Sequence, residues 1–377
     1  MEVIKAADSS ALEALLQSSK RTTEMTDHYK RDAIELLKKL ISIQSFSKEE
    51  NITGDVLEAF MKERGVPTFR KMNNIWAFNK HYDPAKPTAL LNSHHDTVKP
   101  NKGYTKDPYS PIVEEGKLFG LGSNDAGGCL VSLLATFLYF YERDDLHYNV
   151  AFAASAEEEI SGHNGIELIV PELGPVDFAI VGEPTQMHLA IAEKGLMVCD
   201  CVSHGRSGHA AREEGENAIY KALKDIEWFR TYQFERVSPF LGPIKMSVTV
   251  IHSGSQHNVV PDRCEFVVDV RVTDQYTHEE LLKTIKAKVS CDVIPRSMRM
   301  RSSSISVEHP IVKSGLALGR TTYGSPTTSD QALIPVPSLK LGPGDSARSH
   351  TADEYIYLAE IEEGIDLYIQ ILGKVIV

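Results

Sequence analysis

The sequence predicts an α/β protein: a mostly parallel sheet flanked by helices, with a ferredoxin-like α+β domain inserted into it. Three observations lead there. Apolar strand-like runs alternate with helical patterns up to Glu193. Those runs are almost wholly apolar, which suits strands buried on both faces of a parallel sheet. Beyond Glu193 the order changes to β-α-β-β-α-β, the order of a ferredoxin-like sandwich.

The elements follow in turn. HYKRDAIELLKKLISIQS, from His28, sets Ala33, Leu36, Leu37, Leu40 and Ile41 at helical spacing with lysines opposite. Strands are expected at Thr88 to Asn92, Asn149 to Ala154 and Phe178 to Val181, with a helix around Cys129 to Tyr141. The insertion reads LMVCDCVSHG, a helix Asn217 to Tyr232, KMSVTVIHSG, RCEFVVDVRV, a helix Thr277 to Val289, and a last strand MRMRSSS. The chain then returns through the amphipathic IVKSGLALGRTTYG, a short strand SLKLG and a closing helix Ala359 to Leu372. The expected division is therefore a first domain over 25–193 and 305–377, with an inserted domain over 194–304. Residues 1–24, polar and weakly periodic, read as a loose extension or as residues upstream of the true start.

A chain of 377 residues exceeds what one core usually serves, so two domains are the default. The formal charge of -12 speaks against nucleic acid or an anionic membrane as partner. No run approaches the roughly 20 apolar residues of a membrane helix. The N-terminus lacks an apolar signal core, so a cytoplasmic location is expected. Five scattered cysteines suit reduced thiols in a core, and Cys199 and Cys201 read as packing rather than as metal ligands.

In open α/β sheets ligands bind beyond the carboxyl ends of the strands. There the sequence places Ser93-His94-His95-Asp96 after TALLN, Asn124-Asp125 after LFGLGS, and Glu157-Glu158-Glu159 after the Asn149 strand. Gly182-Glu183-Pro184 follows the Phe178 strand, and GPGDSARSH, with His350, follows SLKLG. Histidine with carboxylate suits Zn²⁺, with Co²⁺ or Mn²⁺ as alternatives. The spacing of His94 and Asp96 lets a carboxylate face the imidazole's second nitrogen. Each motif alone is common; a run of three glutamates is usually a solvated turn.

Together SHHDTV, GLGSNDAGG, SAEEEISG, IVGEPT, GRSGHAA, HNVVPD with VDVR, and GPGDSARSH resemble the dinuclear-zinc deacylases and peptidases. That family includes acetylornithine deacetylase, succinyl-diaminopimelate desuccinylase, aminoacylase and carboxypeptidase G. The resemblance implies a zinc-peptidase-like catalytic domain with an inserted lid and dimerisation domain. It implies that Asp125 bridges two metals, that His94 and Glu183 complete one site, and that Glu159 and His350 complete the other. Asp96 matches the residue behind the metal histidine, and Glu158 the general base. His209 matches a lid histidine that holds the oxyanion from a partner subunit, so a homodimer is expected. Asn258 and Arg271 match residues that grip a substrate carboxylate; Thr327 and Thr328 match a loop lining the pocket. His95 carries no ligand role, and Glu157 is structural. Arg271, read from its own neighbourhood, could equally pair with Asp269.

Two departures stand out: Ser93 where the family often has glycine, and Ala126-Gly127-Gly128 where many members carry Met-Lys-Gly. The motif wording looks closest to acetylornithine deacetylase-like enzymes of arginine biosynthesis. The expected reaction is hydrolysis of a small-molecule Nα-acyl amino acid, N-acetyl- or N-succinyl-ornithine or -citrulline. The alternatives are succinyl-diaminopimelate desuccinylase, a metallo-dipeptidase or carboxypeptidase, and a binding protein that kept the fold.

Overall fold

The computed structural model describes residues 26–212 and 214–377; the expected extension over residues 1–24 lies outside them. The chain divides into two compact units. The first holds the described residues up to Leu189 together with Glu308–Thr321 and Lys340–Val377. The second holds Ala190–Val307 and Thr322–Leu339. The expectation returned the chain to the first domain at 305 without a break; instead Thr322–Leu339 joins the second unit, because a strand there pairs with the strand that opens it.

The first unit begins with helix α1 (26–41), whose Leu36, Leu37, Leu40 and Ile41 are buried as their spacing requires. Helix α2 (Asn51–Lys62), strands β1 (Phe69–Lys71), β2 (Asn74–Phe78) and β3 (Thr88–His94), and the hairpin β4 (Ile112–Glu114) with β5 (Lys117–Phe119) follow. Next come α3 (Gly128–Tyr141), β6 (Asn149–Ser155), the short α4 (Ile166–Ile169) and β7 (Val176–Val181). Within this unit the sheet order is β1-β2-β6-β3-β7. β3 runs parallel to β6 and to β7, whereas β2 is antiparallel to β6 and β1 to β2. The sheet is therefore mixed; its apolar centre alone obeys the parallel pattern that was expected. β3 and β6 are buried along their whole length and run parallel, so their polar carboxyl ends emerge side by side, His94 opposite Ser155.

The second unit opens with β8 (Leu189–Glu193) and β9 (Gly195–His204), then β10 (Gly208–His209), α5 (Ala218–Thr231), β11 (Lys245–Ser253) and β12 (Val259–Val260). It continues with β13 (Arg263–Val272), α6 (His278–Lys288), β14 (Asp292–Pro295) and β15 (Ser303–Ser304). Four of these strands form an antiparallel sheet in the order β11-β13-β9-β14. On β9, Met197, Cys199 and Cys201 face the core in strict alternation with less buried neighbours, as the period of a strand demands. All five cysteines are free and buried. A capping box of Thr277 and Glu280 starts α6.

One expected strand is displaced. The fourth strand of the sandwich is β14, which pairs with β9 through Val293 opposite Cys201, and not MRMRSSS. Met300 is buried and Met298 packs against the core of this unit, but of that segment only the end, β15, forms a strand, and it pairs with β8.

The chain closes with α7 (Pro310–Ala317), β16 (Thr322–Ser325), which pairs with β8, β17 (Ser338–Lys340), β18 (Tyr355–Tyr357) and α8 (Leu358–Ile376). Among the described residues no helix is long and apolar enough to cross a membrane.

Candidate metal centre

The first unit gathers His94, Asp125, Glu158, Glu159, Glu183 and His350. Single ligand atoms of His94, Asp125 and Glu159 all lie within 4.8 Å of one another. Asp125 stands in the middle. Its Oδ1 is 3.4 Å from His94 Nε2, and its Oδ2 is 3.6 Å from His350 Nε2. His94 Nε2 also has Glu158 Oε2 at 3.9 Å and Glu183 Oε1 at 4.0 Å. His350 Nε2 has Glu159 Oε2 at 3.0 Å. Two groups of side chains thus share one carboxylate, each oxygen turned to a different histidine.

Each side chain reaches its place for a local reason. His94 ends the buried strand β3. Glu158 and Glu159 sit in a single 3₁₀ turn, Glu158–Ile160, entered through Glu157 at φ 53 and left through Ser161 at φ 49. Asp125 lies in the irregular turn Ser123–Gly127 that leads into α3. Glycine is required two residues further on, because a Cβ on Gly127 would collide with the carbonyl oxygen of Gly122. The other departure, Ser93, is 1% exposed and donates to the Gly182 carbonyl at 2.8 Å, a bond that ties β3 to the segment carrying Glu183.

Asp96 sits behind the centre, but its carboxylate does not make the expected short bond to the imidazole. His94 Nδ1 is 3.0 Å from the backbone oxygen of Asp96 and 3.5 Å from Oδ1. The carboxylate instead accepts from Ser47 Oγ at 2.7 Å, Glu158 N at 3.0 Å and Glu159 N at 3.2 Å. Its charge is spent on fixing the glutamate turn. His95 has both ring nitrogens engaged elsewhere, Nδ1 at 2.9 Å from Thr53 Oγ1 and Nε2 at 2.9 Å from Asn73 O. Burial pushes its pKa down to about 4, so it is a neutral structural residue. Glu157 accepts from Asn164 Nδ2 at 2.9 Å and closes the turn.

The electrostatics call for a cation. Burial disfavours a charged imidazole at His94, yet Glu158, Asp125 and Asp96 outweigh it and hold the pKa well above the usual value. Burial pushes the Glu183 carboxyl up to about 8, with Lys340 pulling it down and Asp125 pushing it further up. His350 is raised to about 9, chiefly by its hydrogen bond to Glu159. His94 Nε2 is buried without a hydrogen-bond partner among the described residues. A buried nitrogen aimed at several carboxylates, in a cluster whose negative charges oppose one another, is a donor set that fits divalent metal.

Sequence reasoning missed four residues around this centre. Glu50, 0% exposed, accepts from Glu157 N at 3.1 Å. Ser47 holds Asp96, Lys340 faces Glu183, and Glu354 receives the backbone of the Asp125 turn. Only Glu354, four residues past His350, lies close in sequence to one of the expected ligands. The others announce themselves through contacts far apart in the chain.

The remaining expected site residues belong to the second unit. His209 on β10 pairs with Val259 on β12, and Ala210 N donates to Asn258 O at 3.0 Å, so His209 and Asn258 share one small ribbon. His209 Nδ1 accepts from Ala211 N at 3.1 Å. Arg271 is engaged bidentately by Asp269, at 2.8 and 3.0 Å, the local pairing that its neighbourhood allowed. Thr328 Oγ1 donates to Lys194 O at 2.9 Å, and Thr327 Oγ1 lies 3.0 Å from Ser325 Oγ.

An α/β core whose strand ends gather two histidines and four carboxylates defines a hydrolase with a metal-binding site. Comparison with known proteins gives the family. The family model described as "Peptidase family M20/M25/M40" matches residues 90–374, and the chain belongs to that family, whose members hydrolyse amide bonds. It is 26% identical over 298 residues to a succinyl-diaminopimelate desuccinylase of Wolbachia pipientis, covering 73% of each chain. It is 28% identical over 361 residues to a [LysW]-lysine/[LysW]-ornithine hydrolase of Sulfurisphaera tokodaii, covering 92% of this chain and 96% of that one. Among solved structures, a dinuclear metal binding peptidase of the M20 family from Bacillus subtilis has the same fold. The TM-score is 0.69 at 15% identity, over 92% of this chain and 99% of the other.

Proposed function

We propose that the protein hydrolyses the amide joining an acyl group to an amino nitrogen of a diamino acid. The observation that carries this is Asp125, whose two oxygens face His94 and His350 separately at 3.4 and 3.6 Å, with Glu158 beside them. His94, Asp125 and Glu183 would hold one divalent cation; Asp125, Glu159 and His350 would hold a second. Such a pair, when bound, lowers the pKa of water towards about 7 and polarises a substrate carbonyl.

Glu158 takes the proton of the attacking water and returns it to the leaving nitrogen, acting as base and then acid. Its turn, suspended from Asp96 through two backbone amides, keeps that carboxylate from swinging into the ligand set.

For the substrate, the names of the relatives favour the alternative, removal of a succinyl group from succinyl-diaminopimelate, over the expected N-acetyl- or N-succinyl-ornithine or -citrulline. A second reading, release of lysine or ornithine, draws on the relative that matches over 92% of this chain. Both readings share a diamino acid. The test is a kcat/KM panel with Zn²⁺, Co²⁺ or Mn²⁺. Its substrates are succinyl-diaminopimelate, N-succinyl- and N-acetyl-ornithine, the citrulline counterparts and an unmodified dipeptide. The highest value on a succinylated diamino acid is expected. A highest value on the dipeptide, or no hydrolysis with any metal, would overturn the proposal.

A further inference from the structure

Glu354 meets no ligand side chain, yet it is only 2% exposed. Its carboxylate accepts three backbone N–H groups of one turn: Gly122 at 3.2 Å on Oε2, and Asn124 at 2.8 Å and Asp125 at 2.9 Å on Oε1. A buried carboxylate is tolerated only when its lone pairs are satisfied, and here every bond runs to the segment that carries Asp125. The main chain adds a fourth tie, Gly120 N to Glu354 O at 3.0 Å. The neighbouring Asp353 anchors the loop on its other side, accepting from Thr105 N at 2.8 Å and Lys106 N at 2.9 Å.

The same loop presents His350, whose Nε2 faces Asp125 Oδ2 at 3.6 Å. One stretch of five residues therefore delivers a histidine to one face of Asp125 and grips the backbone of Asp125 from behind. We propose that Glu354 is a positioning residue for the metal centre: it locks the Asp125 turn to the His350 loop, so that both Asp125 oxygens keep their separate aims. This rests on the reading of the centre as a divalent-cation site given above. It also explains the choice of side chain. Three N–H groups converge on Glu354, so an acceptor-only group fits, whereas glutamine of the same shape would turn an N–H donor towards at least one of them.

The test uses the full-length protein stripped of metal by a chelator and titrated calorimetrically with Zn²⁺ alone. Wild type, Glu354→Gln and Glu354→Ala are compared, and the melting midpoint of each cation-free protein is recorded. The expected result is a loss of Zn²⁺ affinity of about 10- to 100-fold for Glu354→Ala, as for other residues that orient ligands. A smaller loss is expected for Glu354→Gln, which keeps one acceptor oxygen. Wild-type affinity in both variants, with only the cation-free melting midpoint lowered, would overturn the proposal and leave a purely structural role. If Glu354→Ala does not fold, wild-type affinity in Glu354→Gln overturns it by itself. Failure of the wild type to take up Zn²⁺, Co²⁺ or Mn²⁺ is a different outcome: it removes the functional reading on which Glu354's role rests.

Discussion

Glu157, Glu158 and Glu159 are consecutive, and the molecule uses each differently. Glu157 adopts φ 53 and binds Asn164, Glu159 contacts His350, and Glu158 reaches to 3.9 Å from His94 Nε2. The division follows from the turn: two successive amides are pinned on Asp96 and one on Glu50, which leaves the side chains no common direction. Glu158 belongs to neither proposed ligand set, so its removal separates chemistry from metal binding. Glu158→Ala is expected to lower kcat by about 10²- to 10⁴-fold, the usual contribution of a general acid–base group, with bound metal unchanged by elemental analysis. Full activity in that variant would remove Glu158 from the reaction. The proposed ligands His94, Asp125, Glu159, Glu183 and His350 are readable in the sequence because each follows a buried strand or a glycine-rich turn. Glu50 and Ser47 are not, since SFSKEEN looks like any polar helix start until folding brings it against Asp96 and Glu157.

At the scale of elements, the alternating burial of β9 and β13 and the capped α6 are local consequences of sequence. Pairing choices are not. β14 takes the edge of the β9 sheet, with Val293 in the core opposite Cys201, while MRMRSSS adds Met298 to that core without pairing to β9. His278, the first residue of α6, is a second case. It is 2% exposed, with Nε2 lacking a hydrogen-bond partner among the described residues, and burial holds its pKa below the ordinary value, although the Leu196 backbone and Glu279 pull the other way. With the folded pKa depressed, its contribution is complete above the usual histidine value near 6.5. It is lost as pH falls from there through the lowered value, because the unfolded chain takes up the proton first. His278→Gln should therefore flatten the fall in urea midpoint below that pH. An unchanged slope in the variant would show that other groups govern it.

Across the whole molecule, the proposed centre is a stability element as well as a reactive one. It ties β3, the turn before α3, the end of β6, the segment after β7 and the loop before β18, which are far apart in the chain. A ligand that binds only the folded state stabilises it by RT ln(1 + [L]/Kd), about 2.7 kcal/mol at a hundredfold excess over Kd. Chelation should therefore lower the thermal midpoint by several degrees, at roughly 2–4 °C per kcal/mol for domains of this size. Zn²⁺ should restore it and Mg²⁺ should not. A midpoint indifferent to the chelator would argue that the carboxylate cluster tolerates its own charge.

The sequence by itself determined the α/β class, the inserted β-α-β-β-α-β order and the ligand-type residues at the strand ends. All of these depend on period and adjacency along the chain, which a single segment displays. The tertiary structure alone decided that the sheet is mixed, that Thr322–Leu339 joins the second unit, and that Asp96 spends its carboxylate on the glutamate turn. It alone also decided that Glu354 holds Asp125 from behind. Those outcomes turn on which buried acceptor meets which amide across separations such as the 229 residues between Asp125 and Glu354, and no local pattern encodes that meeting.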